Sequence, residues 1–432
     1  MIVNAEDLGT HSGVLEGYPP PFEDLSSVRF LAASTPWFDD QVLEEIILKM
    51  NQRTTRGDVP LNLNATGQMT HAFMYSGDDT LRAWVTEYIA RWKERADANG
   101  GIIPDNVGLS GGVGEYLDGK WWGGHYGWRW PHGFIMIIEL AVNANLNALP
   151  LTGDPSHLAL ARQQLDVNYA LGHDEDGTRM VPQKHFDSGW TDYRPSTPLY
   201  SIHLWARSPA DEDRERVERA RNGVDWAEVR YPIVPGSAKH FNVNTLAWYE
   251  YFTGAKPAFP ERVFEANIEL IEQQLRRMLS TDGDLHGFGS IHHIEGHTEA
   301  PDMQTDGNAI NIWQEFNPVY FESLVQLMWG TPMHISHGGL QHATMRYYEA
   351  ESRRPGLPDA TAALVHAIGR DFVELELVNL DLAAGRTVVV QAGSFGEHRF
   401  VEASVDGSIW WPSMAGGSRW RSALGLARAS AS

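Results

Sequence analysis

The chain has no cysteine in 432 residues, which removes disulfides, thiolate metal sites and a cysteine nucleophile together. Runs of lysine or arginine are missing as well. With 34 Lys+Arg against 56 Asp+Glu the formal net charge is −22, so nucleic acid or an anionic membrane would meet an adverse field, and neither is expected as a partner. Long hydrophobic runs are also scarce. The start, MIVNAEDLGTHSG, has no basic stretch leading into an apolar one, and the most apolar segment, Phe134 to Leu151, is interrupted by Glu139 and several Asn. The reading is a soluble chain without a signal peptide, cytoplasmic, or secreted if a leader was removed. No GxGxxG, P-loop, GxSxG or kinase set stands at a strand-to-helix junction, which disfavours nucleotide-dependent chemistry.

What is plentiful is 16 Trp, 14 Tyr, 16 Phe, 18 His and 41 Gly. Hydrophobic residues at 42% and charged residues at 21% are those of a chain with a packed core rather than a disordered one. Helical patterns run into a glycine and restart a few residues later at Gly77, Gly153, Gly254 and, more weakly, Gly330. Asp78 or Asp79 and Asp154 are placed to cap the following helices, and Pro155 suits a first turn. Thr35 to Asn51 reads as an earlier helix. Trp84, Tyr88 and Trp92 form one stripe at helical spacing, and Val263, Ile268, Ile271 and Leu275 another. Stacked hairpins of this kind bury their apolar faces by closing into a ring or extending into a solenoid. The expected fold is therefore mainly α, an αα toroid of helical hairpins over residues 35–357, after an extended N-terminal segment, 1–34. A small antiparallel β region is expected over 358–412, from the alternation in Phe372–Leu380, Arg386–Ala392 and His398–Val405. Residues 413–432 read as a frayed tail.

Long stretches without helical period lie between the hairpins, and loops of such length usually act. The densest is GGVGEYLDGKWWGGHYGWRWPHG, Gly111 to Gly133. Trp121, Trp122, Trp128 and Trp130 offer flat faces to the axial C–H patches of sugar rings, while His125, Tyr126, Arg129, His132, Glu115 and Asp118 supply polar partners. The bland alternative is a buried aromatic plug. A second cluster, Gln183 to Arg207, interleaves His185, Asp187, Tyr193, Arg194, His203 and Arg207 with Trp190. Its arginines suit a ligand carboxylate, or equally salt bridges to Asp187 and Asp192. A third, Gly287 to Pro318, contains His293 and His297 at i, i+4, but Gly296 argues against a regular helix there, and the spacing is not that of a helical zinc protease. His334, His337 and His342 raise the same question. No cofactor is expected, with a structural divalent metal left as an open alternative.

At the level of architecture the chain resembles carbohydrate-active enzymes built as an αα toroid followed by antiparallel β structure, which include polysaccharide lyases and uronate-acting hydrolases. The repeated hairpins, the loop WWGGHYGWRWPHG and the β segment from Phe372 carry the resemblance. It implies an oligo- or polysaccharide substrate and transfers no catalytic residue to this chain. From the residues themselves, β-elimination at a uronate is the leading expectation, because it needs a cation for the carboxylate and a base and acid of the His/Tyr type. His125, Tyr126, Arg129, His185, Tyr193, Arg194 and Asp187 form that catalytic set. Trp121, Trp122, Trp128, Trp130, His132, Trp190, His203, Arg207, Asn64 and Asp306 are the substrate-binding candidates. Hydrolysis, the alternative, would draw two carboxylates from Asp187, Asp302, Asp306 and Glu315. A non-catalytic glycan-binding protein is a third reading. The long loops at 100–131, 172–198 and 280–318 are expected to share one mouth.

Overall fold

A computed structural model describes residues 21–26, 39–130, 132–221, 226, 229, 244–280, 321–332, 339–405, 408–410, 413–414 and 425–430. The chain divides into two compact units, one of Met1–Val224 with His337–Leu340 and one of Asp225–Ser336 with Gln341–Ser432.

In the first unit the helices are α1 (Asp40–Thr55), α2 (Ala65–Ser76), α3 (Asp79–Ala98), α4 (Phe134–Thr152), α5 (Ala159–Ala170), α6 (Leu199–Arg207) and α7 (Asp211–Arg219). Their ends follow the anticipated chemistry. Gly77 and Gly153 stop α2 and α4 at φ of 69° and 66°, a left-handed conformation that favours glycine. Asp78 accepts the Thr80 amide at 2.9 Å and Asp154 that of Ser156 at 2.8 Å. The first helix starts later than its pattern, with Asp39 accepting from Gln41 and Val42; Thr35 lies outside the described residues.

Helix α4 is the centre of this unit, packed by α2, α3, α5 and α6. It is long and apolar enough to cross a membrane, yet 83% of its apolar window is buried by its own chain. Its buried asparagines have local work. Asn145 Oδ1 accepts the Ala161 amide at 2.8 Å, and Asn147 donates to Thr66 Oγ1 at 3.0 Å.

Two short strands, β1 (Gly57–Asp58) and β2 (Val107–Gly108), pair with each other. A three-stranded antiparallel sheet follows, with β3 (His173–Glu175), β4 (Thr178–Phe186) and β5 (Gly189–Pro195) in that order. Asp176 and Gly177 join β3 to β4 with φ of 48° and 77°, the pair of positive values that a tight Asp-Gly hairpin turn needs. Asp187 and Ser188 join β4 to β5, closed by the Phe186–Gly189 pair.

The second unit has α8 (Thr245–Phe252), α9 (Phe259–Ser280) and α10 (Glu322–Trp329). Its strands are β6 (Met345–Glu349), β7 (Arg354–Pro355), β8 (Thr361–Ile368), β9 (Val373–Asn379), β10 (Thr387–Ala392), β11 (Ala403–Val405), β12 (Ser408–Trp410), β13 (Ser413–Met414) and β14 (Gly425–Ser430). Five of them form a sheet in the order β13-β14-β10-β6-β7, while β8 pairs with β9 and β11 with β12. The face of α9 that is buried runs through Phe259, Val263, Ala266 and Leu270, whereas Ile268 and Leu275 of the anticipated stripe are exposed.

The expected mainly-α toroid is corrected. Helix makes up 47% and strand 17%, with ten α-helices and several small antiparallel sheets among the described residues, so the class is mixed α and β. The glycine-centred hairpins fall in two units, those at Gly77 and Gly153 in the first and those at Gly254 and Gly330 in the second, and no toroid is shown among the described residues. The physical reason is that a glycine stop followed by an aspartate cap is a local signal, and it carries no information about which faces meet. The stretch 172–198, which has no helical period, is mostly sheet, and β6 precedes the anticipated β region. The last residues contribute β14, which pairs with β10 from Thr387↔Ser430 to Val390↔Ala427.

Candidate functional site

The site is built on the 100–130 loop and the tip of the β4–β5 hairpin, both in the first unit. Asp105 organises the loop. It is fully buried and accepts the amides of Gly123, Gly124 and Trp128 at 3.1, 2.8 and 2.9 Å, with Asn106 Nδ2 at 3.2 Å. Burial pushes its carboxyl up, against these hydrogen bonds. Two glycines are dictated by this cradle, since a Cβ on Gly124 would lie 2.1 Å from the Asp105 carbonyl oxygen and one on Gly127 2.1 Å from its Oδ2.

So held, the loop presents Trp121 and Trp122 to the hairpin. His185 on β4 sits directly across from Trp190 on β5, and the His185 amide donates to the Trp128 carbonyl at 3.3 Å. The imidazole lies in a box of three indoles, 4.6 Å from Trp121, 4.6 Å from Trp122 and 4.7 Å from Trp190 between ring centroids. The ring is 9% exposed, and its Nδ1 has no hydrogen-bond partner among the described residues. Desolvation lowers its pKa to about 4, so the imidazole is neutral near pH 7 and offers an acceptor rather than a charge.

At the lip of the box, Asp187 receives Lys120 Nζ at 2.6 Å and Trp122 Nε1 at 3.0 Å. Its backbone N–H donates to both oxygens of Glu23, at 3.0 and 3.2 Å. The titrations of the two carboxyl groups are driven apart. Burial raises Glu23, helped by the neighbouring Asp187 charge. Partial burial works against ionisation of Asp187, but the bonds from Lys120 and Trp122 outweigh it and hold Asp187 below the usual carboxylate range. Glu23, Lys120 and Asp105 are the members of this site that the sequence did not single out as its actors. Lys120 could have been found from its place beside Trp121 and Trp122; nothing around Glu23 in the sequence points to the hairpin.

Arg129 is 2% exposed; its Nε donates to the Pro21 carbonyl at 3.1 Å and its Nη1 pairs with Glu23 at 3.3 Å, and burial lowers its pKa to about 10. It is thus turned inward, because the 21–26 segment covers it, and is not presented to a ligand carboxylate. His125 is 5% exposed, stacked 5.7 Å from Trp130 with Tyr126 edge-on at 4.6 Å, and desolvation lowers it to about 4. Tyr126 is half-buried, and its phenol is pushed up by desolvation. Trp128 and Trp130 are core residues at 2% and 4% exposure. Trp128 Nε1 donates to the Ile103 carbonyl at 2.6 Å, and Trp130 packs with Phe22, Leu25, Val42, Ile46 and Met50. These two indoles belong to the plug, while Trp121, Trp122 and Trp190 keep partial exposure.

Arg194 forms a fork with Asp192 at 2.9 Å in both bonds, which answers the salt-bridge alternative, and Tyr193 packs 4.8 Å from His173. His203 is buried in α6 and Arg207 sits in its last turn. His132 is half-buried just before α4. Asn64 ends the turn before α2, and its Oδ1 is buried without a partner among the described residues. Glu115 closes its own turn, accepting from Ser110 Oγ at 2.6 Å. Of the three loops expected at one mouth, the first two do meet, through Asp187 and His185. The third lies outside the described residues, with Asp302, Asp306, Glu315, His293 and His297, as do His334 and His337. Among the described residues no group of three His, Cys, Asp or Glu could hold a metal ion.

No curated protein and no solved structure matches the chain. The model of a family described as a domain of unknown function, DUF8034, matches residues 2–325, three quarters of the 432 residues, and the chain belongs to that family.

Proposed function

We propose that the chain is a carbohydrate-active enzyme that works by acid/base chemistry at the Glu23–Asp187 pair, in the hydrolytic rather than the eliminating mode. The observation that carries this is that the Asp187 amide bonds both carboxylate oxygens of Glu23, which sets the two carboxyl groups together, with opposed titration, at the lip of the Trp121, Trp122 and Trp190 box. Two titratable groups whose surroundings push them apart divide the roles of proton holder and ionised partner. Glu23 keeps a proton in its buried position. Asp187, half exposed, is the member that a glycosidic oxygen can approach: the proton of Glu23 is relayed through it to the leaving oxygen as the glycosidic bond breaks, a water bonds to the anomeric carbon, and the proton of that water returns to the pair. The indoles suit the C–H faces of a sugar, and the neutral His185 suits a hydroxyl or a water as donor.

Against the eliminating mode counts the enclosure of Arg129 with Glu23 and Pro21; Lys120 and Arg194 are exposed positive groups nearby in sequence, and Asp187 and Asp192 pair with them. The test is a broad panel of oligo- and polysaccharides assayed both for new reducing ends and for the ultraviolet absorbance of an unsaturated uronate. Reducing ends without that absorbance, lost in Asp187→Asn, are expected. Absorbance would replace hydrolysis by elimination, and ligand-induced Trp fluorescence change without turnover would leave a binding protein.

A further inference from the structure

Helix α9 is apolar on two faces. One, through Phe259, Val263, Ala266 and Leu270, is buried, and Asn267 and Gln274, also buried, border it. The other carries Phe264, Ile268, Leu275 and Leu279, which are 46% to 85% exposed, with Ile271 half-buried among them. Steps of four, three, four and four residues keep these five side chains on one stripe, roughly 22 Å long at about 1.5 Å per residue. The second face of a surface helix is normally polar. Single exposed apolar residues are ordinary, but a continuous seam of large ones marks an interaction surface.

The charges beside the seam indicate what fits it. By helical geometry Glu261, Glu265, Glu272 and Arg276 fall along its outer flank, and all four are exposed. Glu265 pairs with Arg262, and Glu272 with Arg276 at 2.7 Å, within the helix. The flank is thus acidic from its N-terminal end and finishes on a cation. A second copy of α9 laid antiparallel, with Phe264 on Leu275 and Ile268 on Ile271, brings Arg276 of each copy between Glu261 and Glu265 of the other. Glu265 also approaches Glu272 there, and the in-helix arginines offset that repulsion. A parallel copy would instead set every glutamate against itself. The seam is therefore complementary to its own reverse, as a two-fold interface requires, and its first four members have the spacing of a short coiled coil.

We infer that α9 is the contact helix of a homodimer, in which the Phe264–Leu279 stripes of two copies pack antiparallel. This stands apart from the proposed glycan chemistry. Sedimentation velocity of the full chain across a wide range of concentration tests it, and a monomer–dimer equilibrium is expected. Ile268→Glu, which sets a charge near the two-fold axis in both copies, should weaken the dimer by about tenfold or more. Arg276→Glu should also weaken it, and adding Glu265→Arg to that variant should recover most of the loss. Leu48→Glu, at an exposed leucine of α1, should leave association unchanged. Thermal unfolding at a dilution where the chain is monomeric should be the same for Ile268→Glu and the unaltered chain. A monomer at every concentration overturns the inference: a lower unfolding temperature in Ile268→Glu then means that the chain itself covers the stripe, and an unchanged one leaves it to a different partner. A dimer that Ile268→Glu leaves intact, or an Arg276→Glu defect that Glu265→Arg does not relieve, overturns it as well.

Discussion

The Asp187 amide donates to both carboxylate oxygens of Glu23, at 3.0 and 3.2 Å, across 164 positions of sequence. This contact ties the 21–26 segment to the hairpin tip and brings the two carboxyl groups together. Arg129, beneath them, adds a buried positive charge beside Glu23, and Lys120 and Trp122 hold Asp187 ionised from the solvent side. A proton placed between the two groups therefore resides on Glu23, in the drier position.

The first prediction concerns pH. Asp187 is held low and Glu23 is raised, so kcat/KM on a cleaved glycan should fall as pH drops through the Asp187 value and fall again as pH rises through that of Glu23. In Glu23→Gln the alkaline limb should vanish, with a rate loss of about 10²–10⁴ for the missing acid. A Glu23→Gln profile that keeps the alkaline limb assigns the proton to another group.

Trp122 offers a way to separate stacking from proton affinity. Trp122→Phe keeps a flat ring but removes the Nε1–H bond to Asp187, so the acid limb should move to higher pH while KM changes little. Trp122→Ala should move the limb and also raise KM, since the face is gone. Both effects are read from pH-dependent kinetics, and an unmoved limb in Trp122→Phe would show that this indole does not tune Asp187.

Asp105 should be a stability residue without a part in turnover. Asp105→Ala leaves three backbone amides, two of them buried, without their acceptor, and at about 1–3 kcal/mol for each buried donor the loss is on the order of 2–6 kcal/mol. Urea denaturation measures it. Gly124→Ala and Gly127→Ala should also destabilise, because each Cβ meets Asp105 at 2.1 Å. Near-ultraviolet circular dichroism should weaken in all three, as Trp121 and Trp128 lose their fixed setting.

Much of the local structure is legible in the sequence, because it is written in short-range chemistry. Gly77 and Gly153 end helices and Asp78 and Asp154 begin turns through contacts made within four residues. The sheet formed by β3, β4 and β5 is harder to see: its inward residues on β4 include Gln183 and His185 beside Val181, so polar side chains interrupt the alternation that marks a strand. The Asp176–Gly177 turn was the signal available there. At the site, composition points to the aromatic loop and to His185, Asp187 and Trp190. Which indoles remain open to a ligand depends on long-range packing: Phe22, Ile46 and Met50 cover Trp130, and Ile103 takes the Trp128 N–H. The same holds for Glu23, whose role is created by a hairpin far along the chain.

The final prediction is a stability effect with a definite sign. His125 is buried and neutral, its pKa lowered from the ordinary 6.5 to about 4 by desolvation. The unfolded chain therefore binds a proton near pH 6.5 that the folded chain accepts only near pH 4, so stability is complete above about pH 6.5 and is lost as pH falls through that window. At 1.36 kcal/mol per pKa unit, the shift corresponds to on the order of 3 kcal/mol. His185 acts in the same direction. His125→Phe keeps an aromatic ring against Trp130 and removes the titration, so its stability should fall less between pH 7 and pH 4 than that of the unaltered chain, by up to about 3 kcal/mol. Urea denaturation at intervals across that range measures the difference, and imidazole carbon shifts by nuclear magnetic resonance should place the His125 midpoint near 4. Equal acid destabilisation in the two chains would mean that His125 already titrates near its ordinary value in the folded state.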